Sequence, residues 1–115
     1  MSAQHGTYTL CIDLCNKCAD VCDACTLACL NEENAAYMRD CILMDIDCAA
    51  FCRLTAGFMV RQSEMLELIC EDCAELCNTC AEECEKHPME HCRLCAEICR
   101  KCADTCMRVA IANNY

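Results

Sequence analysis

Six cysteines in the first third of the chain, Cys11, Cys15, Cys18, Cys22, Cys25 and Cys29, follow one another at steps of 4, 3, 4, 3 and 4. The alternation averages about 3.5 residues, which keeps one residue type on one face of an α-helix. Leu or Ile ordinarily fills such a seam; here every position is a thiol. The spacing returns in Cys70, Cys73, Cys77, Cys80 and Cys84, and again in Cys92, Cys95, Cys99, Cys102 and Cys106. Cys41, Cys48 and Cys52 form a sparser version, with Met38, Met44 and Met59 at compatible spacings. Thiolates are soft ligands and nucleophiles, so these rows point to metal binding, disulfide formation or redox chemistry.

Each chemistry has its own requirements. Cysteine as a small core hydrophobe explains two or three positions, but not 19. Cysteines at i, i+3 and i, i+4 on one helix point the wrong way for an unstrained disulfide, although bridges between helices are open to them. Iron–sulfur clusters of the ferredoxin type need a cysteine run on a loop followed by Pro, and none is present. Structural zinc uses four ligands converging from a knuckle or ribbon, whereas these C-x-x-C pairs lie mid-helix and are by-products of the heptad. Cu(I) prefers thiolate and is satisfied by two or three sulfurs, so an i, i+4 pair can clamp one ion and a facing helix can bridge to the next. One cuprous ion per thiolate also leaves the interior neutral, which predicts a capacity of about 18–20 ions per chain. A Zn(II) or mixed soft-metal buffer is the nearest alternative, and a thiol redox sensor the next.

The thiols need long helices to hold them in line. Two Gly and one Pro in 115 residues favour long helices over a loop-rich disulfide knot. The spacing predicts helices over about Tyr8–Leu30, Ala35–Val60, Glu64–Cys84 and Pro88–Ala112, after a lead-in at residues 1–7 that carries a tail histidine, His5. Asn31–Asn34 and Ser63 supply N-cap candidates, Gly57 and Arg61–Ser63 mark the second turn, and Pro88 suits a first helical position. Short connections make neighbours antiparallel, so the expectation is one all-α domain over 1–115, an up-down four-helix bundle with a cysteine-lined core. Helix 2 carries a second apolar stripe, Leu43, Ile46, Ala50, Leu54 and Phe58, nearly opposite its cysteines. That stripe predicts a self-association surface.

The balance of 19 acids against 9 bases gives a net charge of −10, which repels nucleic acid. No stretch has the length and character of a membrane span, and the start MSAQHGTYTL shows no basic region followed by an apolar run. The expected compartment is the cytosol, where thiols stay reduced. No Ser-His-Asp set, phosphate loop or paired-carboxylate cleft is visible, so an enzyme is not expected.

The six-cysteine first helix, the C-x₆-C-x₃-C helix from Cys41 to Cys52 and two five-cysteine helices joined by a histidine-containing loop resemble the bacterial cytosolic copper storage proteins over nearly the whole chain. The resemblance implies a four-helix bundle, usually a homotetramer, that stores many Cu(I) ions on its core cysteines and is not a catalyst. It also implies copper-entry residues at Cys41-x-x-x-Asp45 and across Cys84-x-x-His87-x-x-x-His91-Cys92. The expected partners are copper ions and a copper donor or acceptor protein.

An antiparallel order makes the two ends unlike. One collects Cys29, Cys41, Cys84 and Cys92 with Asp45, His87 and His91; the other collects Leu10, Leu54, Phe58, Met59, Met65, Leu66, Ile69, Val109 and Ile111. The expectation is a histidine mouth, where neutral imidazole relays metal inward, and a sealed apolar end. Met38, Met44 and Met59 are either thioether ligands or ordinary core.

Overall fold

The computed structural model describes residues 2–113, with side chains from Tyr8 onward. Four helices carry the chain: α1 (Ser2–Leu30), α2 (Arg39–Val60), α3 (Leu66–Cys84) and α4 (Glu90–Ala112). Each helix packs on its neighbours in the cyclic order α1, α2, α3, α4 and back to α1, and diagonal pairs meet only through side chains in the core. The result is an antiparallel bundle 50 Å long and 19 Å across. Among the described residues, no helix is long and apolar enough to cross a membrane.

The bundle is this narrow because of what sits beside the sulfurs. An alanine follows Cys18, Cys48, Cys73, Cys80, Cys95 and Cys102, and all six alanines are buried. Interaxial distance is set by the side chains at the contact. A seam of Cys flanked by Ala therefore brings the helix axes close together and the thiols of facing helices within reach. Among charged side chains, Arg53 on α2 reaches Asp20 and Asp23 on α1 at 2.9 and 2.8 Å, and Arg100 on α4 reaches Glu85 at 2.8 Å. Exposed pairs of this kind add little stability, but they agree with the register the seams impose.

Several boundaries differ from the sequence expectation. Helix α1 starts at Ser2, so the backbone is helical through most of the expected lead-in, while His5 lies outside the residues whose side chains are described. Residues Ala35–Met38 form a separate 3₁₀ turn ahead of α2. Gly57 lies within α2 rather than marking its end; its missing Cβ leaves room for the Arg61 guanidinium, which sits over the Phe58 ring at 5.3 Å. The α2 terminus is a Schellman turn instead. Ser63 N–H bonds Phe58 O and Gln62 N–H bonds Met59 O, with Gln62 in the left-handed region at φ 52. The Ser63 hydroxyl accepts from Met65 N–H at 3.0 Å, so it braces the turn before α3 rather than capping the helix directly. Pro88 precedes α4 by two residues, because Met89 is extended and Glu90 opens the helix.

The apolar end is smaller than expected. Met59, Leu66 and Val109 are buried there, but Leu10, Met65 and Ile111 are about half exposed. Tyr8 and Asn113, hydrogen-bonded side chain to side chain at 2.9 Å, tie the start of the chain to its end beside this plug. The second stripe of α2 faces outward as its spacing requires: Leu43, Ile46, Ala50 and Leu54 are exposed and Phe58 is half-buried.

Candidate metal centre

All 19 cysteines are free, and none is more than 1% exposed. Each comes from a seam position, so the heptad spacing alone carries every sulfur into the interior. Across helices the Sγ atoms are near neighbours. Cys11 lies 3.5 Å from Cys106, Cys15 lies 3.6 Å from both Cys102 and Cys106, Cys18 lies 3.6 Å from Cys99, and Cys22 lies 3.6 Å from Cys95. On the other side Cys52 lies 3.5 Å from Cys77 and 3.9 Å from Cys73, and Cys48 lies 3.8 Å from Cys77. Metal–sulfur bonds of about 2.3 Å put two sulfurs roughly 3.8 Å apart at a tetrahedral angle and roughly 4.6 Å apart in a line. The lining is spaced to accept ions with small adjustments of χ1.

The sulfurs also form overlapping sets. Ligand atoms within 4.8 Å of one another group as Cys18, Cys48, Cys52, Cys77, as Cys18, Cys22, Cys48, Cys99, and as Cys22, Cys80, Cys95, Cys99. Cys18 and Cys48 belong to two of these sets, as do Cys22 and Cys99. Shared sulfurs make the interior a continuous column of sites, closed towards the plug by Cys15, Cys73, Cys102 and Cys106 and towards the mouth by Cys25, Cys29, Cys41 and Cys92. Burial disfavours the thiolate form throughout this core. It pushes the Cys70 thiol up to about 12, with Cys11 and Cys73 adding to the effect, and Cys29 up to about 11, with Cys41 contributing. A thiolate in this core therefore needs a cation to replace its proton.

Asp45 stands deeper than the sequence pairing with Cys41 suggested. It is fully buried, and its carboxyl accepts from Cys80 at 3.2 Å, Cys95 at 3.3 Å, Cys84 at 3.6 Å and Cys41 at 3.8 Å. Desolvation, helped by the Cys95 sulfur, raises it from 3.8 to about 8. Among the described residues it is the one buried carboxyl group, set into the sulfur wall immediately below the mouth.

At the mouth, His91 Nδ1 lies 3.4 Å from Cys25, 3.5 Å from Cys92 and 3.9 Å from Cys29. Its Nε2 meets Glu32 Oε1 at 3.0 Å. A carboxylate at that distance takes the Nε2 hydrogen, so Nδ1 turns its lone pair to the three thiols. His87 sits further out: among the described residues its ring bonds only Glu83, at 3.2 Å, and no cysteine. Cys41 and Cys84, 3.7 Å apart, lie between the mouth and Asp45. The structure thus brings Cys25, Cys29, Cys92 and His91 together, puts Asp45 one layer below, and leaves His87 outside the sulfur contact. Met38 and Met59 are buried at opposite ends of α2, and Met44 is half-buried.

Glu32 and Glu83 escaped the sequence reading. Glu83 stands four residues before His87, a spacing that places the two on one helical face and could have revealed it. Glu32 is 59 positions from His91 and no local spacing connects them.

Comparison with known proteins agrees with this geometry. The profile of the copper storage protein family (Csp) matches residues 4–111. A cytosolic copper storage protein from Streptomyces lividans, solved during copper loading with five coppers, superposes with a TM-score of 0.93 at 35% identity, covering 96% of this chain and 98% of that one. The Cu(I)-bound copper storage protein BsCsp3 superposes with a TM-score of 0.86 at 36% identity, covering 90% and 98%. An uncharacterized cysteine-rich protein of Bacillus subtilis, YhjQ, is 37% identical over 81 residues, 70% of this chain and 75% of its own length. With the family profile spanning almost the whole sequence and the sulfur seams aligned inside one bundle, the chain belongs to the copper storage protein family.

Proposed function

We propose that this protein is a cytosolic store and buffer for Cu(I), holding about one ion per cysteine on its core thiolates. The observation that carries the reading is the burial of all 19 free thiols in one interior whose sulfur sets share members. A column of shared thiolates suits an ion satisfied by two or three sulfurs, because each sulfur can bridge and the positive charges cancel the thiolate charges one for one. A divalent ion held by four thiolates would leave about two uncompensated negative charges at each isolated site.

In this reading all 19 cysteines are ligands, Asp45 serves the layer below the mouth, and metal enters past His87 and then His91. Glu83 and Glu32 orient the two rings. The apolar plug keeps traffic at one end. The outward stripe of α2 joins copies of the chain, as a homotetramer. In this reading the protein works by holding and releasing ions rather than by turnover of a substrate.

The reading is tested by equilibrating the anaerobic protein with mixed Cu(I) and Zn(II), each in the presence of a strong selective chelator, followed by desalting and metal analysis. The expected result is retention of many copper ions per chain and loss of zinc. Retention of zinc with loss of copper would assign the column to a different metal.

A further inference from the structure

A groove of about 580 Å³ runs along the outside of the bundle between α1 and α4. Its walls are mostly apolar, formed by Val21, Ala24 and Ala28 on one side and Leu94 and Ile98 on the other. The volume falls within the range of small-molecule sites. The two helices are antiparallel, so Lys17 and Lys101 share one end of the groove, while Cys25 and His91 lie towards the other. Eight residues of helical rise put Lys17 about 12 Å from Cys25 along the axis. The groove therefore connects a cationic end to the outermost sulfurs of the column from the side.

The two lysines are unusual on this surface. The chain has a net charge of −10 and only three lysines. Lys86 is held by Glu83 at 3.1 Å. Among the described residues no carboxylate stands within 4.0 Å of the ammonium of Lys17 or of Lys101. Glu97, the one acid in the groove lining, is taken by Arg93 at 2.8 Å. Both unpaired lysines of an acidic protein thus face the same groove, and that groove leads to Cys25.

We propose that this groove seats an anionic low-molecular-weight thiol carrying Cu(I), with the donor's carboxylates on Lys17 and Lys101 and its sulfur beside Cys25 and His91. The inference rests on the storage reading and adds to it the chemical class of the donor. A cysteine-containing peptide of two or three residues spans about 7–11 Å when extended, and the flexible lysine stems cover the remainder. The exchange balances without oxidant or reductant. A bis-thiolate Cu(I) anion loses two Cu–S bonds to the donor and gains two to Cys25 and Cys29, whose sulfurs are 3.9 Å apart. The two protons of those thiols leave on the two departing donor thiols, copper stays Cu(I), and one negative charge passes from donor to protein.

Electrostatics explains why the site would be local. An anionic donor is repelled by the surface as a whole, but repulsion beyond about 8 Å is screened at physiological ionic strength. Two unpaired ammonium groups within that distance give the donor its landing place. A second copy of this chain fits the groove less well. Pairing across a two-fold axis would bring four unpaired ammonium groups into one interface, which like-charge repulsion opposes.

The test is K17E/K101E, a change at two exposed side chains. Anaerobic loading is followed by stopped flow from two donors, the Cu(I) complex of a cysteinyl tripeptide with free carboxylates and that of a neutral cysteine amide. Charge reversal at a docking rim acts on the association rate. Loading of the variant from the anionic donor should slow about tenfold, loading from the neutral donor should stay within about twofold, and the capacity and sedimentation mass should be unchanged. Equal slowing from both donors, or no slowing from either, overturns the donor site. A change in mass overturns it in favour of a second copy. If the wild-type chain loads from neither donor, the storage reading itself fails, which is distinct from loading without charge discrimination.

Discussion

A carboxyl group with no water around it keeps its proton, and Asp45 is in that position. Its pKa rises from 3.8 to about 8 on folding, chiefly through desolvation. Between those values the unfolded chain binds fewer protons than the folded one, so the stability of the metal-free protein should fall as pH rises from about 4 to about 8. The contribution is at most about 1.4 kcal/mol per pH unit. Asp45→Asn keeps the shape of the protonated acid and removes the titration, so thermal melts between pH 5 and 8 should show a clearly flatter profile for the variant. An unchanged slope would place the pH dependence elsewhere. At the mouth, replacing His87 and His91 by Phe should slow Cu(I) uptake about tenfold in stopped flow while leaving capacity within one or two ions. The family resemblance pointed to Asp45 through the Cys41-x-x-x-Asp45 pattern, but not to its depth. Three of its four sulfur partners come from α3 and α4, and no local spacing announces them.

Among the elements, the cysteine rows were legible because a 3-4 spacing can be satisfied in one way only, as a stripe on a helix. The four helices, their order and their inward faces follow from it. The alanines beside six of those cysteines carry no comparable signal when read alone, since Ala is common on any helix; only their burial shows that they set the width of the bundle. Turn chemistry was the least legible part. Gly57 read as punctuation, yet the residue that takes the left-handed conformation is Gln62. A side chain in that region costs about 1–2 kcal/mol relative to its ordinary conformations, and glycine relieves it at some cost in chain entropy. Gln62→Gly should therefore stabilise the metal-free protein by roughly 0.5–1 kcal/mol, about 3 °C in Tm, measured by calorimetry. A loss of stability would mean that the Gln62 side chain contributes more than its backbone costs.

For the whole molecule, the proposed reading puts storage and assembly on different surfaces. The thiols face the axis, and the α2 stripe faces away from it. Leu43→Glu with Leu54→Glu places like charges on that stripe without touching a core contact. Sedimentation should report smaller assemblies than the wild type, with copper capacity per chain unchanged. Loss of capacity along with mass would tie the column to the interface. The lysine groove between α1 and α4 was beyond the sequence for a different reason: its two walls become neighbours only once the register of two helices about 80 residues apart is known. In the proposed store, copper fills a shared column rather than a single cluster. Anaerobic Cu(I) titration with a count of ions retained per chain separates the two. Saturation at about 18–20 ions is expected; saturation at four or five, with most thiols still free, would rule the column out.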